Sequence, residues 1–184
     1  MISHTFFTGE VLGLFVDGAH LSQATRQLDF EVDLDALRKI FASAGNLLCS
    51  YYYIALKSEG PNEASTAFLD MLQDMGWRTV SKPFRTVGEP GSQVVKGSFE
   101  IEMTVDMMEQ SQSIDHAVLI SGNGDFTYLI DYLQRDGIRV TMVSSEETPK
   151  PLMSKDLRRQ ADAFIDLADL KPYITRTRAK QSDG

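Results

Sequence analysis

Cysteine occurs once, at Cys49, in a chain of 184 residues. A single thiol excludes an intramolecular disulfide and any zinc site built from cysteines. Its setting in Leu47-Leu48-Cys49 reads as a buried, inert side chain. No cluster of histidine or cysteine favours zinc. No apolar run approaches the ~18–20 residues that cross a bilayer. Met1 to Glu10 carries no Lys or Arg and no long apolar segment, so it does not read as a secretory signal. These absences predict a cytoplasmic protein that makes no membrane contact. Positive charge is also short: 18 Lys and Arg stand against 26 Asp and Glu, for a net charge of −8. Modules that hold nucleic acid by phosphate neutralisation alone are usually basic. The balance argues against such a module, and much less against a metal-dependent enzyme that touches a few nucleotides.

Hydrophobic content of 42% and charged content of 24% are ordinary for a globular domain. The length suits one domain with a real core. Strand-like and helix-like segments alternate. Val11-Leu-Gly-Leu-Phe-Val16 reads as a strand buried on both faces and ends at Asp17-Gly18. Strands are further predicted over 47–56, 77–84, 116–120, 138–143 and 164–167. Helices are predicted over 33–44, from a cap at Asn62 to Gly76, over 99–112 with Ile101, Thr104, Val105 and Met108 on one face, from Asp125 to Gly137, and over 154–162. Residues 85–97 read as a loop or short hairpin. The pattern predicts an α/β fold, three layers in αβα order around a mainly parallel sheet. The domain is expected over 1–170, with 171–184 as a disordered tail.

In such folds the working groups gather at the carboxyl ends of the strands. Asp17 follows the first strand and Asp125 lies just past the fourth. Glu100, Glu102 and Asp106 fall on the helix between them. Carboxylates converging without bases repel one another unless protons or a cation compensate. Magnesium or manganese meets that demand with oxygen ligands. Each acid alone has a plainer reading, Asp17-Gly18 as a turn and Asp125 as a helix cap. Glu102 and Asp106 share a helix face, so Glu100 joins them only from an unwound first turn.

Three segments resemble the NYN family, in its bacterial LabA-like branch. Phe15-Val-Asp-Gly-Ala-His-Leu21 is similar to the opening Val-Asp-Gly-x-Asn-Leu. Lys96-Gly-Ser-Phe-Glu-Ile-Glu-Met-Thr-Val-Asp-Met-Met108 follows Lys-Gly-x-x-Asp-x-x-x-x-x-Asp-Met. Ala117-Val-Leu-Ile-Ser-Gly-Asn-Gly-Asp-Phe126 resembles Ala-Val-Leu-Val-Ser-Gly-Asp-Gly-Asp-Phe. Ser154, Leu157, Ala161, Asp162 and Phe164 fit the closing motif, so the resemblance runs from about residue 11 to 168. It implies a PIN-like fold and metal-dependent cleavage of RNA, single-stranded for preference. It implies that Asp17, Glu100, Asp106 and Asp125 hold Mg²⁺ or Mn²⁺ and carry catalysis.

Two positions depart from the pattern. Asn123 replaces the first Asp of Ser-Gly-Asp-Gly-Asp-Phe, and His20 replaces the Asn of the opening motif. A carboxamide offers a neutral oxygen but no charge and no base. The alternative to a ribonuclease is therefore a catalytically weakened NYN domain that binds RNA or a protein partner; homo-oligomerisation stays open. Lys96, Ser121, Asn123 and His20 are the candidate substrate contacts. Lys155, Arg158, Arg159 and Arg139 are candidates for a basic edge. Tyr51, Tyr52 and Tyr53 can stack bases, although strand alternation sends at least one into the core.

Overall fold

The computed structural model describes residues 2, 5–57, 63–87, 94–96 and 98–177. In chain order these form β1 (Val11–Asp17), α1 (Gly18–Gln27), α2 (Leu34–Ala44), β2 (Asn46–Lys57), α3 (Glu63–Asp74), β3 (Arg78–Val87) and β4 (Val94–Lys96). There follow α4 (Glu100–Gln110), β5 (His116–Ile120), a 3-10 turn (Gly124–Phe126), α5 (Thr127–Arg135), β6 (Arg139–Ser144), α6 (Lys155–Gln160), β7 (Ala163–Asp166) and α7 (Leu167–Ile174). The sheet order is β4-β3-β2-β1-β5-β6-β7. Every pair is parallel except β3–β4, whose short antiparallel ladder makes the anticipated hairpin.

The alternation of side chains along each strand divides the core into two halves. Leu12, Leu14, Val16, Tyr52, Val118 and Ile120 face one layer, where Leu21 of α1, Leu37 and Phe41 of α2, Leu72 of α3 and Leu170 of α7 pack. Phe15, Tyr51, Tyr53, Leu119 and Met142 face the other, against Met103 and Met107 of α4, Leu129 and Leu133 of α5 and Leu157 of α6. The chain thus winds outward from β1 through β2 and β3 on one side, and from β5 through β6 and β7 on the other. The direction reverses between β1 and β5. Connections after these two strands leave toward opposite faces, which opens a crevice at their carboxyl ends.

Four expectations change. Helix α1 is not announced by the sequence pattern, because its apolar face is thin, essentially Leu21 and Ala24. Helix α4 buries Met103 and Met107, while Ile101, Val105 and Met108 are exposed. The segment carries two competing apolar stripes, and the packing of Phe99 at its start selects the methionine stripe. The proposed boundary at residue 170 is corrected for residues 171–176. These complete α7, cap its end through Thr175 N to Lys171 O, and pair Val32 with Thr175 across a bridge. Only 178–184 of the expected tail, like the Asn62 cap, lies outside the described residues. Finally, Tyr51, Tyr52 and Tyr53 are all at most 6% exposed, so none is available to stack a base. Cys49 is buried as expected, and burial pushes its thiol up to about 11.

Candidate active site

Asp17 is the last residue of β1 and the N-cap of α1. Its Oδ1 accepts from the backbone N–H groups of Ala19 (3.0 Å) and His20 (3.1 Å). Strand must become helix here in one step, and Gly18 permits it. A Cβ on Gly18 would lie 2.6 Å from the Tyr53 carbonyl oxygen of the neighbouring strand. Burial raises the Asp17 carboxyl above its ordinary value against the pull of the two N–H donors, and the nearby charge of Glu100 adds to the rise.

Glu100 is the first residue of α4. Helical side chains tilt toward the N-terminus, so a residue in this place overhangs the helix end and reaches the crevice. That is how Glu100 meets the site although the helix carries Glu102 and Asp106 elsewhere. Its Oε1 accepts from Asn123 Nδ2 at 2.8 Å. The orientation of the Asn123 amide is fixed chemically. Its Oδ1 must accept the Asp125 backbone N–H (3.1 Å) as cap of the 3-10 turn, which leaves the NH₂ group facing Glu100. Ser121, fully buried at the end of β5, places its hydroxyl between Asn123 N (3.3 Å) and Asp17 Oδ2 (3.5 Å).

These groups line a cleft of about 340 Å³, together with His20, Gln23, Tyr53, Ser98 and Leu152. A larger hollow of about 660 Å³ lies on the other flank of α1, away from the acids. Among the described residues no Lys or Arg lines the cleft. Nor do three or more His, Cys, Asp or Glu of the described residues form a ready-made cation cluster.

The expected residues therefore divide. Asp17, Glu100, Ser121, Asn123 and His20 come together. Asp106 sits about 9 Å along the α4 axis from Glu100, at 1.5 Å per residue. Its Oδ2 accepts from the hydroxyl of Tyr53 (2.8 Å), a buried residue at the cleft wall. Asp125 is exposed and does not line the cleft. Lys96 ends β4, and its side chain is not among those described. Glu102 pairs with Lys82 at 2.7 Å. Arg139 lies at the far end of the sheet, donating to Glu10 (2.7 Å) and to the Thr5 carbonyl (3.2 Å). Gly122, Ser144 and Leu152 are additions, and Tyr53 enters as the partner of Asp106 and not as a stacking ring. Ser144 ends β6, so the strand-end rule itself points to it, and Gly122 lies within the Ser-Gly-Asn-Gly-Asp-Phe segment; Leu152 carries no sequence signal.

His20 is 9% exposed, with Nε2 3.0 Å from Ser144 Oγ. Burial pushes its imidazole from 6.5 down to about 4. The unfolded chain therefore binds more protons between these values. The His20 contribution is intact above about pH 6.5 and is lost as pH falls toward 4. Between pH 7 and pH 5 that loss is about 2 kcal/mol. Urea unfolding at both pH values should show a smaller drop for His20→Asn than for the native chain. A slope remains in the variant, because burial holds His116 down as well.

A parallel α/β sheet with a carboxylate cleft at its switch point is the architecture of the PIN-like domains. Residues 11–169 match the NYN domain family, and the chain belongs to it. It is 28% identical over 171 residues to the low amplitude and bright protein LabA of Synechococcus elongatus, covering 90% of this chain and 88% of that protein. The fold is shared with a protein of unknown function from Vibrio parahaemolyticus, with a TM-score of 0.71 and 21% identity over 88% of this chain and 94% of the other. Among the described residues no helix is long and apolar enough to cross a membrane.

Proposed function

We propose that this NYN domain is a divalent-metal-dependent ribonuclease acting on single-stranded RNA in the cytoplasm. The observation that carries it is the meeting of Asp17 and Glu100 in a cleft without a basic side chain among the described residues. Burial, and then the nearby charge of Glu100, raise the cost of ionising Asp17, whose carboxyl stands above its ordinary value. A cation reverses that cost. The donor set fits a hard ion: two carboxylates and a serine hydroxyl, with no thiolate or imidazole cluster.

Asp17 and Glu100 would hold the ion. Magnesium or manganese there supplies Lewis-acid polarisation of the phosphodiester and draws off its developing charge. The chain's own groups do the positioning. The two N–H donors at Asp17 Oδ1 fix that carboxylate and leave Oδ2 toward the cleft. The Asn123 amide aims Glu100, and the Ser121 hydroxyl offers a hydrogen bond at the cleft floor. A space of about 340 Å³ admits a splayed nucleotide rather than a duplex. Asp125 stands outside the cleft and Asp106 lies behind Tyr53, so both act on the reaction from outside the Asp17–Glu100 pair.

One observation favours the second reading, a weakened domain that binds RNA without efficient cleavage. Asn123 presents an amide N–H to Glu100 where the family pattern has a carboxylate, and so satisfies Glu100 without a cation. Cleavage of single-stranded RNA with Mn²⁺, paired with Mn²⁺ titration, separates the two. Native protein is expected to cut in Mn²⁺ and to stop in chelator. Asn123→Asp is expected to tighten Mn²⁺ binding about tenfold, roughly 1.4 kcal/mol. A native protein that cuts nothing while Asn123→Asp cuts supports the weakened domain. If neither cuts at millimolar Mn²⁺, the ribonuclease reading falls.

A further inference from the structure

The cleft that would receive an RNA phosphate offers no cation from the protein among its described lining, and the chain as a whole is acidic. A polyanion held there needs positive charge close by. It is found across one side chain. Leu152 lines both the cleft and a second hollow of about 320 Å³, walled by Ser145, Glu146, Lys155, Arg158 and Arg159. Three of the six residues of α6 are basic and border this hollow.

Their commitments elsewhere are slight. Among the described residues Lys155 has no ion-pair partner. The Arg159–Asp156 pair spans 3.9 Å between side chains about 80% exposed. Arg158 Nε lies 3.6 Å from Glu146 Oε1, again at the surface. Exposed pairs of this kind contribute little and exchange readily. Arg158 is also braced, its guanidinium 4.4 Å above the Phe164 ring. Other basic groups are placed differently. Arg139 is consumed by Glu10 and Thr5 at the opposite end of the sheet. Arg26 and Arg176 share their hollow with Asp29 and Glu31.

We infer that the hollow beside α6 binds the phosphodiester backbone of the same RNA strand that enters the cleft, through Lys155, Arg158 and Arg159. The strand crosses Leu152, which separates an acidic, cation-requiring compartment from a basic one. This inference rests on the RNA reading above. It is independent of whether the site is fast or weakened, because it concerns binding.

The test is RNA binding by the full chain carrying Asp17→Asn, so that nothing is cut. Fluorescence anisotropy with a labelled single-stranded RNA of about a dozen nucleotides is followed from roughly 50 to 300 mM salt. Adding Lys155→Gln, Arg158→Gln and Arg159→Gln is expected to weaken binding on the order of tenfold or more at low salt. It should also flatten the log–log salt slope by about 2, from three lost contacts at ~0.7 each. A charge-matched control, Arg26→Gln with Lys39→Gln and Arg135→Gln, is expected to change the slope far less. If the triple α6 variant unfolds, Lys155→Gln with Arg159→Gln keeps the Arg158–Phe164 contact and is expected to show about two-thirds of the slope change. Unchanged affinity and slope in the α6 variants overturn the inference while leaving the RNA reading in place, as does an equal loss in the control. An Asp17→Asn parent that binds no RNA, with or without Mn²⁺, takes both down together.

Discussion

Asp17→Asn is expected to lower RNA cleavage by about a thousandfold, roughly 4 kcal/mol of transition-state stabilisation, while thermal stability at neutral pH stays level or rises. The two effects have one origin. Asparagine retains an oxygen for the Ala19 and His20 N–H groups, so the cap of α1 survives. What disappears is the charge. A carboxyl raised by burial and by Glu100 stabilises the fold most below its ordinary value of 3.8, and that contribution is lost as pH rises through the folded value. At neutral pH the native chain carries the cost of this ion and the variant does not. The same charge is what a cation needs. Steady-state cleavage in Mn²⁺ together with thermal melts of both proteins reads the pair of outcomes. Retained cleavage would remove Asp17 from the reaction; lost cleavage with a large fall in melting temperature would recast it as a structural cap. Geometry orders the other acids behind it, with Glu100→Gln next and Asp106→Asn and Asp125→Asn weaker, since neither of the last two lines the cleft.

Gly122→Ala is expected to damage fold and site together. A Cβ at this position would fall 1.8 Å from the Leu152 carbonyl oxygen and 2.7 Å from His20 Cε1. The first obstacle is backbone, and it is tied in place, because Ser154 N donates to Gly122 O at 3.1 Å. Relief therefore requires the 152–154 segment to move away from the end of β5. Overpacking of this kind costs about 3 kcal/mol, at the upper end of its usual range, or about 10 °C in melting temperature for a chain of this size. The displaced segment carries Leu152, the wall between the cleft and the α6 hollow, and Gly122 itself sits between Ser121 and Asn123. Cleavage and RNA binding should both fall. Calorimetry and the anisotropy assay measure them, and a variant that melts and binds like the native chain would show that the 152–154 segment yields freely.

The sequence made the sheet legible because a buried parallel strand leaves a dense local signature. The apolar runs ending at Asp17 and at Ser121 located both sides of the crevice, and the order of strands and helices identified the layers. Helix α2 was equally plain, with Asp33 as its cap accepting from Ala36 N at 3.0 Å. Where the local signal was thin or doubled, it failed. Helix α1 has too few apolar side chains to announce itself. Helix α4 has two possible apolar faces, and only the neighbours decide which is covered. The segment after Leu170 is polar enough to read as a tail, yet Ile174 is drawn into the core beside Leu170.

The acidic site follows the same division. Sequence alone supplied the residue types, their place at strand ends, and the family pattern that made Asn123 and His20 stand out. These are properties of neighbours along the chain, and a single sequence records them. Which acids meet was a matter of direction in space. Glu100 reaches Asp17 because the first residue of a helix overhangs its end. Asp106 lies about 1.7 turns further down the same helix and meets the Tyr53 hydroxyl instead, and Asp125, whose backbone N–H donates to Asn123 Oδ1, stays exposed outside the cleft. The pairing of Glu100 with an amide, the wall formed by Leu152 and the separation of Arg139 from the α6 cations all join residues distant in sequence. Only the packed chain brings such groups within a hydrogen bond of one another or holds them apart.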